Sequence, residues 1–265
     1  MRIEMASEPG SPRVPNEDYA SVALPAAGRG GALVVLDGVT PPPEDVGCEH
    51  DVPWYVTRLG GALLELSGSR RDLTPSQCLA EAIERTARAH GPRCDLSHAR
   101  TPQATVVLAR WDESAVEYLV LSDSALLVEG TDGSVTPVLD PRLDRLWPAA
   151  RALPPVERVA YLEGLRNAEG GFFTAAADPS VAHRAVTGTV PREEVRALAA
   201  LSDGAGRWTE IFRLGDWAAL MAVLRAEGPR SLVARVRAAE SADRDGATFP
   251  RGKVHDDATA VLVEF

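Results

Sequence analysis

Residues 116–129 read VEYLVLSDSALLVE, two apolar runs of strand length that meet at Ser122-Asp123-Ser124. Ser and Asp favour turns because their side chains hydrogen-bond nearby backbone and tolerate unusual dihedrals. The stretch therefore reads as a pair of hairpin-like neighbours, 116–121 and 125–129. Working outward, further Val-, Leu- and Ala-rich runs at 19–24, 31–36, 104–111, 196–201 and 258–265 predict strands. Helical patterns cover 54–66, 75–90, 216–226 and 229–239, with Thr74 as an N-cap and Pro75 as a first helical residue. Strands cluster and then helices cluster, unlike the regular alternation of a parallel doubly wound sheet. The expected class is α+β, antiparallel sheets with helices packed outside. Residues 1–265 are read as one domain, in which 140–192 is the least regular part, a flap or insertion over the main body.

A chain of 265 residues can bury a single large core without cross-links. Its three cysteines, Cys48, Cys78 and Cys94, form no C-x-x-C pair and fit a reduced compartment. No apolar run has membrane length, and MRIEMASEPG lacks a signal-peptide core, so a cytoplasmic protein without a membrane partner is expected. A net charge of -10 opposes nucleic-acid binding, which draws its affinity from Lys and Arg on phosphates. Lys253 is the one lysine among 28 basic residues, a codon signature of a GC-rich bacterial genome.

Acidic residues recur at strand ends. ALVVLD ends in Asp37, YLVLSD in Asp123 and RALAALSD in Asp203, while Glu17-Asp18 and Asp256-Asp257 begin strands. Because an antiparallel strand starts beside its neighbour's end, these carboxylates can converge on one rim. Each alone is an ordinary turn residue. Together, like charges at 4 Å would repel by roughly 4 kcal/mol per pair at an effective dielectric near 20, against a domain stability of about 5–15 kcal/mol. Either they stay apart or cations sit among them, and an all-oxygen set suits Mg²⁺ or Mn²⁺. Two Cys/His fragments, Cys48 with His50 and Cys94 with His98, match no usual structural-zinc spacing and are assigned to core or loop. GRGGALVV at 28–35 precedes a strand where a phosphate loop follows one, and no G-x-S-x-G elbow occurs.

The ordered series R-V-P-N-E-D (13–18), V-L-D-G (35–38), T-P-Q-A-T-V-V-L (101–108), L-S-D-S (121–124), L-S-D-G (201–204) and D-D-A-T (256–259) resembles the motif set of the PP2C-type (PPM) metal-dependent protein phosphatases. The resemblance spans nearly the whole chain. It implies a four-layer αββα sandwich, two antiparallel sheets flanked by helices, with a binuclear Mn²⁺ or Mg²⁺ centre at one end. It implies that Asp37 bridges both metals, that the Gly38 carbonyl binds one, and that Asp203 and Asp256 complete the other. Glu17 and Asp18 match positions that hold a metal or its waters, and Asp123 a position that helps bind a third. Arg13 matches the arginine that grips the substrate phosphate, a role that suits a planar guanidinium.

The activity implied is hydrolysis of phosphoserine and phosphothreonine esters by a metal-activated water attacking phosphorus in line. A small phosphate ester as substrate and a noncatalytic module are the alternatives. Departures are specific. Val39 stands where relatives carry a His or Met after Asp-Gly, so the proton for the leaving group must come from water or from His50, His183 or His255. Ser122 replaces the glycine of a G-D-S motif, and 140–192 lacks the family's leucine and glycine pattern, which leaves substrate choice to that region. Asp257 stands where relatives often carry asparagine and is expected to hydrogen-bond the turn, leaving the metal to Asp256.

Overall fold

The structure is a computed structural model that describes residues 1–41 and 46–265. One five-stranded sheet runs in the order Arg2–Glu8 (β1), Ala258–Glu264 (β10), Val195–Leu201 (β9), Ala125–Gly130 (β6) and Val135–Val138 (β7). The other runs Tyr19–Ala23 (β2), Gly31–Leu36 (β3), Val106–Trp111 (β4), Ala115–Leu121 (β5) and Val186–Pro191 (β8). All neighbours are antiparallel.

The apolar code of β3 explains the layering. Val34 and Leu36 face the helices Val52–Ser69 (α1) and Pro75–Ala89 (α2), while Leu33 and Val35 face the opposite sheet. A strand covered on both faces has no polar alternation. On the other side Ala258, Ala260 and Leu262 of β10 face Asp203–Glu210 (α5), Trp217–Glu227 (α6) and Pro229–Ala242 (α7), and Val261 and Val263 fill the space between sheets. The result is the expected four-layer αββα sandwich.

Local signals set the helix starts. The Thr74 hydroxyl accepts the Gln77 N–H at 3.2 Å and the Gln77 side chain accepts the Thr74 N–H at 2.8 Å, a reciprocal cap for α2. Asp51 caps α1 by accepting the Trp54 N–H at 2.9 Å.

Two expectations are corrected. Residues 116–121 and 125–129 do not pair with each other: β5 bonds β4 and β8, whereas β6 bonds β7 and β9. Ser122, at φ 69°, turns the chain out of one sheet into the other, and its N–H donates to Asp140 Oδ2 at 3.0 Å. The segment 140–192 is also more regular than expected. It holds the helices Arg142–Ala152 (α3) and Pro155–Leu165 (α4), a 3₁₀ turn at Pro179–Arg184, and β8. The strands absent from the sequence reading, β1, β7 and β8, all lie at sheet edges. An edge strand needs one bonded partner and little apolar surface, so Glu4 in β1, Pro137 in β7 and Gly188 in β8 are tolerated there.

Candidate metal centre and active site

Antiparallel register gathers the carboxylates. Tyr19 faces Leu36, which sets Asp18 beside Asp37 just beyond the pair, and Ala260 faces Leu201, which brings the start of β10 to Asp203. The Ser202 N–H donates to the Thr259 carbonyl at 3.0 Å and closes that corner. Asp203 opens α5, and its N–H donates to Asp37 Oδ2 at 3.2 Å, joining the two sheets through one carboxylate. A helix N-terminus favours negative charge there. Beneath, the Asp37 N–H donates to Thr105 Oγ1 at 3.3 Å, and Thr105 shares a 2.6 Å bond with Ser124.

The electrostatics are those of anions crowded out of water. Burial, then the charges of Asp203, Asp18, Asp256 and Asp123, pushes the Asp37 carboxyl well above the usual carboxylate range. Burial, reinforced by Asp256 and Asp123, pushes Asp203 up to about 7 despite Arg207 and the bond to Asp37. Burial likewise pushes Asp18 up to about 7, with Asp203 and Asp257 adding to it. The Thr259 and Ser202 hydroxyls near Asp18 offset part of that rise, yet both Asp18 oxygens are buried without a partner in hydrogen-bonding geometry. Burial also raises Asp123 against the pull of Ser122 and Arg166, and raises Glu17 against Thr40 and Lys253.

Such a set fits a hard divalent cation: several oxygen donors, net negative charge, and one carboxylate with no other partner. Gly38 sits where a Cβ would overlap Val52 and the Glu17 backbone, so its bare carbonyl segment passes close to the rim. Asp256 fits with a qualification of its own. Its Oδ2 accepts from the buried Arg207 guanidinium at 2.8 Å and its Oδ1 from Lys253 Nζ at 2.7 Å, so a cation here would share Asp256 with two side-chain cations.

Asp257 is directed elsewhere. Its Oδ1 accepts the Gly10 N–H at 2.7 Å and its Oδ2 the Glu17 N–H at 2.6 Å, which ties the β1–β2 connection to the start of β10. Arg13 lies exposed in that connection, and its guanidinium has no hydrogen bond or ion pair among the described residues. None of the three histidines is bonded to the carboxylates gathered here. His255 Nδ1 pairs with Glu240 Oε2 at 2.9 Å, His50 Nδ1 lies 3.3 Å from Cys94 Sγ, and exposed His183 belongs to the 3₁₀ turn.

Four participants were missed in the sequence. Glu210, at the end of α5, is pushed up to about 8 by burial and then by Asp144, Asp123 and Asp203. Arg207 bridges Glu240 Oε1 at 2.7 Å to Asp256. Lys253 Nζ also donates to Thr40 Oγ1 at 2.9 Å, and Thr40 in turn donates to Glu17. Arg207 and Glu210 lie on α5, which at eight residues is shorter than the window in which helical periodicity is read from sequence. A cavity of about 350 Å³ adjoins the rim, walled by Thr40 and Gln103 on one side and by Arg166 and Gly164 of the α4 region on the other.

The fold has counterparts among solved structures. The fold is similar to that of a bacterial serine phosphatase, at TM-score 0.61 and 14% identity over 100% of this chain and 97% of that one. It is similar to serine/threonine phosphatase Stp1 from Staphylococcus aureus (TM-score 0.61, 13% identity, 99% and 94% covered). It is also similar to serine-threonine phosphatase 2C from Toxoplasma gondii (TM-score 0.62, 12% identity, 99% and 94% covered). No family model and no curated protein matches the sequence. The chain has the fold of the PP2C-type serine/threonine phosphatases.

Proposed function

We propose that this chain is a metal-dependent phosphatase acting on phosphoserine and phosphothreonine esters. The observation that carries the reading is the half-buried rim of Asp18, Asp37, Asp123 and Asp203, whose charges are unbalanced without added cations, at the end of a PP2C-type sandwich. Asp37, the Gly38 carbonyl, Asp203 and Asp256 would hold two Mn²⁺ or Mg²⁺ ions, with Glu17 and Asp18 on a metal or its waters and Asp123 with Asp203 at a weaker third position. Bound ions of this kind supply Lewis-acid polarisation of the phosphoryl group and a water acidic enough to attack phosphorus.

The remaining work belongs to the chain's own groups. Asp37, whose Oδ2 accepts the Asp203 N–H from the other sheet, holds the rim together. Arg13, with its fork of donors free, engages the substrate phosphate. Lys253 and Thr40 orient Asp256 and Glu17 at the mouth. With Val39 unable to donate and the histidines turned elsewhere, water protonates the leaving alkoxide.

The test is hydrolysis of a chromogenic aryl phosphate with and without Mn²⁺. Turnover should require the metal and fall by about 1,000-fold or more in Asp37→Asn, the order expected when a group central to charge stabilisation is lost. Metal-independent turnover, or full activity in Asp37→Asn, refutes the reading. A second substrate class, small phosphate esters, is favoured by the cavity of about 350 Å³ beside Thr40, a volume suited to a small ligand. Rates on phosphopeptides against a panel of metabolite phosphates separate the two.

A further inference from the structure

Away from the carboxylate rim, four half-buried side chains converge where α1 begins and α2 ends. Cys48 and His50 lie just before α1, His90 caps the C-terminus of α2, and Cys94 lies in the turn beyond it. Cys48 Sγ is 3.7 Å from His50 Nδ1, 3.4 Å from His90 Nδ1 and 3.3 Å from Cys94 Sγ. Cys94 Sγ is 3.3 Å from His50 Nδ1, and one ligand atom from each of the four residues lies within 4.8 Å of all the others. A tetrahedral zinc with Zn–S near 2.3 Å and Zn–N near 2.0–2.1 Å separates its ligand atoms by about 3.3–3.8 Å. The closest donors already stand at nearly that spacing.

We propose that Cys48, His50, His90 and Cys94 bind one structural zinc ion that locks the start of α1 to the end of α2.

The surroundings are built for it. Trp54, on the first turn of α1, stacks on His50 with centroids 3.8 Å apart and meets His90 edge-on at 4.8 Å, so one ring orients both imidazoles. The His50 N–H donates to Cys48 Sγ at 3.4 Å, a contact that stabilises a thiolate. The Asp95 N–H donates to the Gly47 carbonyl at 2.6 Å, and Glu49 pairs with Arg93, so the two segments are also tied on both flanks. Two thiolates and two imidazoles select a borderline-soft ion, unlike the oxygen-only rim, and four protein ligands leave no open coordination position. The role is therefore to brace residues 46–51, which lead into α1, against the end of α2. Spacing along the sequence pairs Cys94 with His98. The antiparallel α1–α2 hairpin instead returns the chain to its start at His90, while His98 Nδ1 accepts the Arg100 N–H at 3.2 Å.

The test uses the full chain purified under reducing conditions and dialysed, with zinc measured per chain by elemental analysis. One equivalent is expected in the wild type and in Asp37→Asn, and about tenfold less in Cys48→Ser and Cys94→Ser. Retention in Asp37→Asn separates this site from zinc taken up by the carboxylate rim. Because the cysteine variants risk misfolding, Co²⁺ is also exchanged into the wild type. Intense tetrahedral d–d bands with thiolate charge-transfer absorption are expected, as is protection of Cys48 and Cys94, mapped by peptide mass, from alkylation until a chelator is added. A zinc-free protein with an octahedral cobalt spectrum, alkylation unaffected by metal, or a Cys48–Cys94 disulfide that on reduction yields thiols taking up no zinc would each overturn the proposal.

Discussion

The Glu17 N–H donates to Asp257 Oδ2 at 2.6 Å, while the adjacent Asp256 turns its carboxylate the other way, to Arg207 and Lys253. Both residues lie in the irregular approach to β10, and their side chains diverge there, so two consecutive aspartates serve two different surroundings.

That division predicts unequal effects of the same substitution. Asp256→Asn should remove metal-dependent turnover, whereas Asp257→Asn should keep turnover within about threefold but cost about 2 kcal/mol, because an amide cannot accept both N–H donors that a carboxylate accepts. For a chain of this size that is roughly 4–8 °C in melting temperature. Kinetics and thermal unfolding of both variants check it, and equal kinetic losses would contradict the division.

The raised carboxyls make a statement about pH. Asp18 and Asp203 titrate near 3.8 when unfolded and near 7 when folded, with burial as the main cause, and Glu210 rises to about 8. Between those values the folded state binds more protons than the unfolded state, so stability falls as pH rises. In chelator the protein should melt higher at pH 5 than at pH 8, and added Mn²⁺ should raise the melting temperature more at pH 8, where it no longer competes with protons. Calorimetry across that range decides, and a metal-free protein that gains stability toward pH 8 would be inconsistent.

Lys253 shares Asp256 with any incoming cation. Burial alone would lower its pKa, but Asp256, Asp37 and Asp203 outweigh that and hold the ammonium charged. Lys253→Met should lower the half-saturating Mn²⁺ concentration by about threefold or more, since a like charge a few ångströms away is removed. Manganese titration of activity measures this; weaker saturation would mean that the hold of Lys253 on Asp256 outweighs the repulsion of its charge.

Gly204 allows α5 to start against β10, because a Cβ there would overlap the Asp257 carbonyl oxygen. Gly204→Ala should destabilise the protein by about 1–3 kcal/mol, the usual cost of overpacking, and reduce turnover by displacing the Asp203 N–H from Asp37. Denaturant unfolding with a parallel assay reads both.

Much of the candidate site was legible because it depends on strand ends, and strand ends are marked by local chemistry. Asp37, Asp123 and Asp203 follow apolar runs, Asp18 and Asp256 precede them, and antiparallel pairing brings these ends side by side. What escaped has no local mark. Arg207 and Glu210 lie on a glycine-rich helix, Lys253 in an irregular segment, and the edge strands β1, β7 and β8 carry little apolar signal.

The sequence by itself determined the α+β class, the helix start at Thr74, and the order of carboxylates along the chain, since each follows from periodicity and capping within a few residues. Only the tertiary structure decided that β5 and β6 belong to different sheets, that Asp256 is shared with Arg207 and Lys253, and that His90 rather than His98 meets Cys48, His50 and Cys94. The reason is the same in each case: the partners are chosen by how helices and sheets stack, and stacking brings together residues that no local pattern relates.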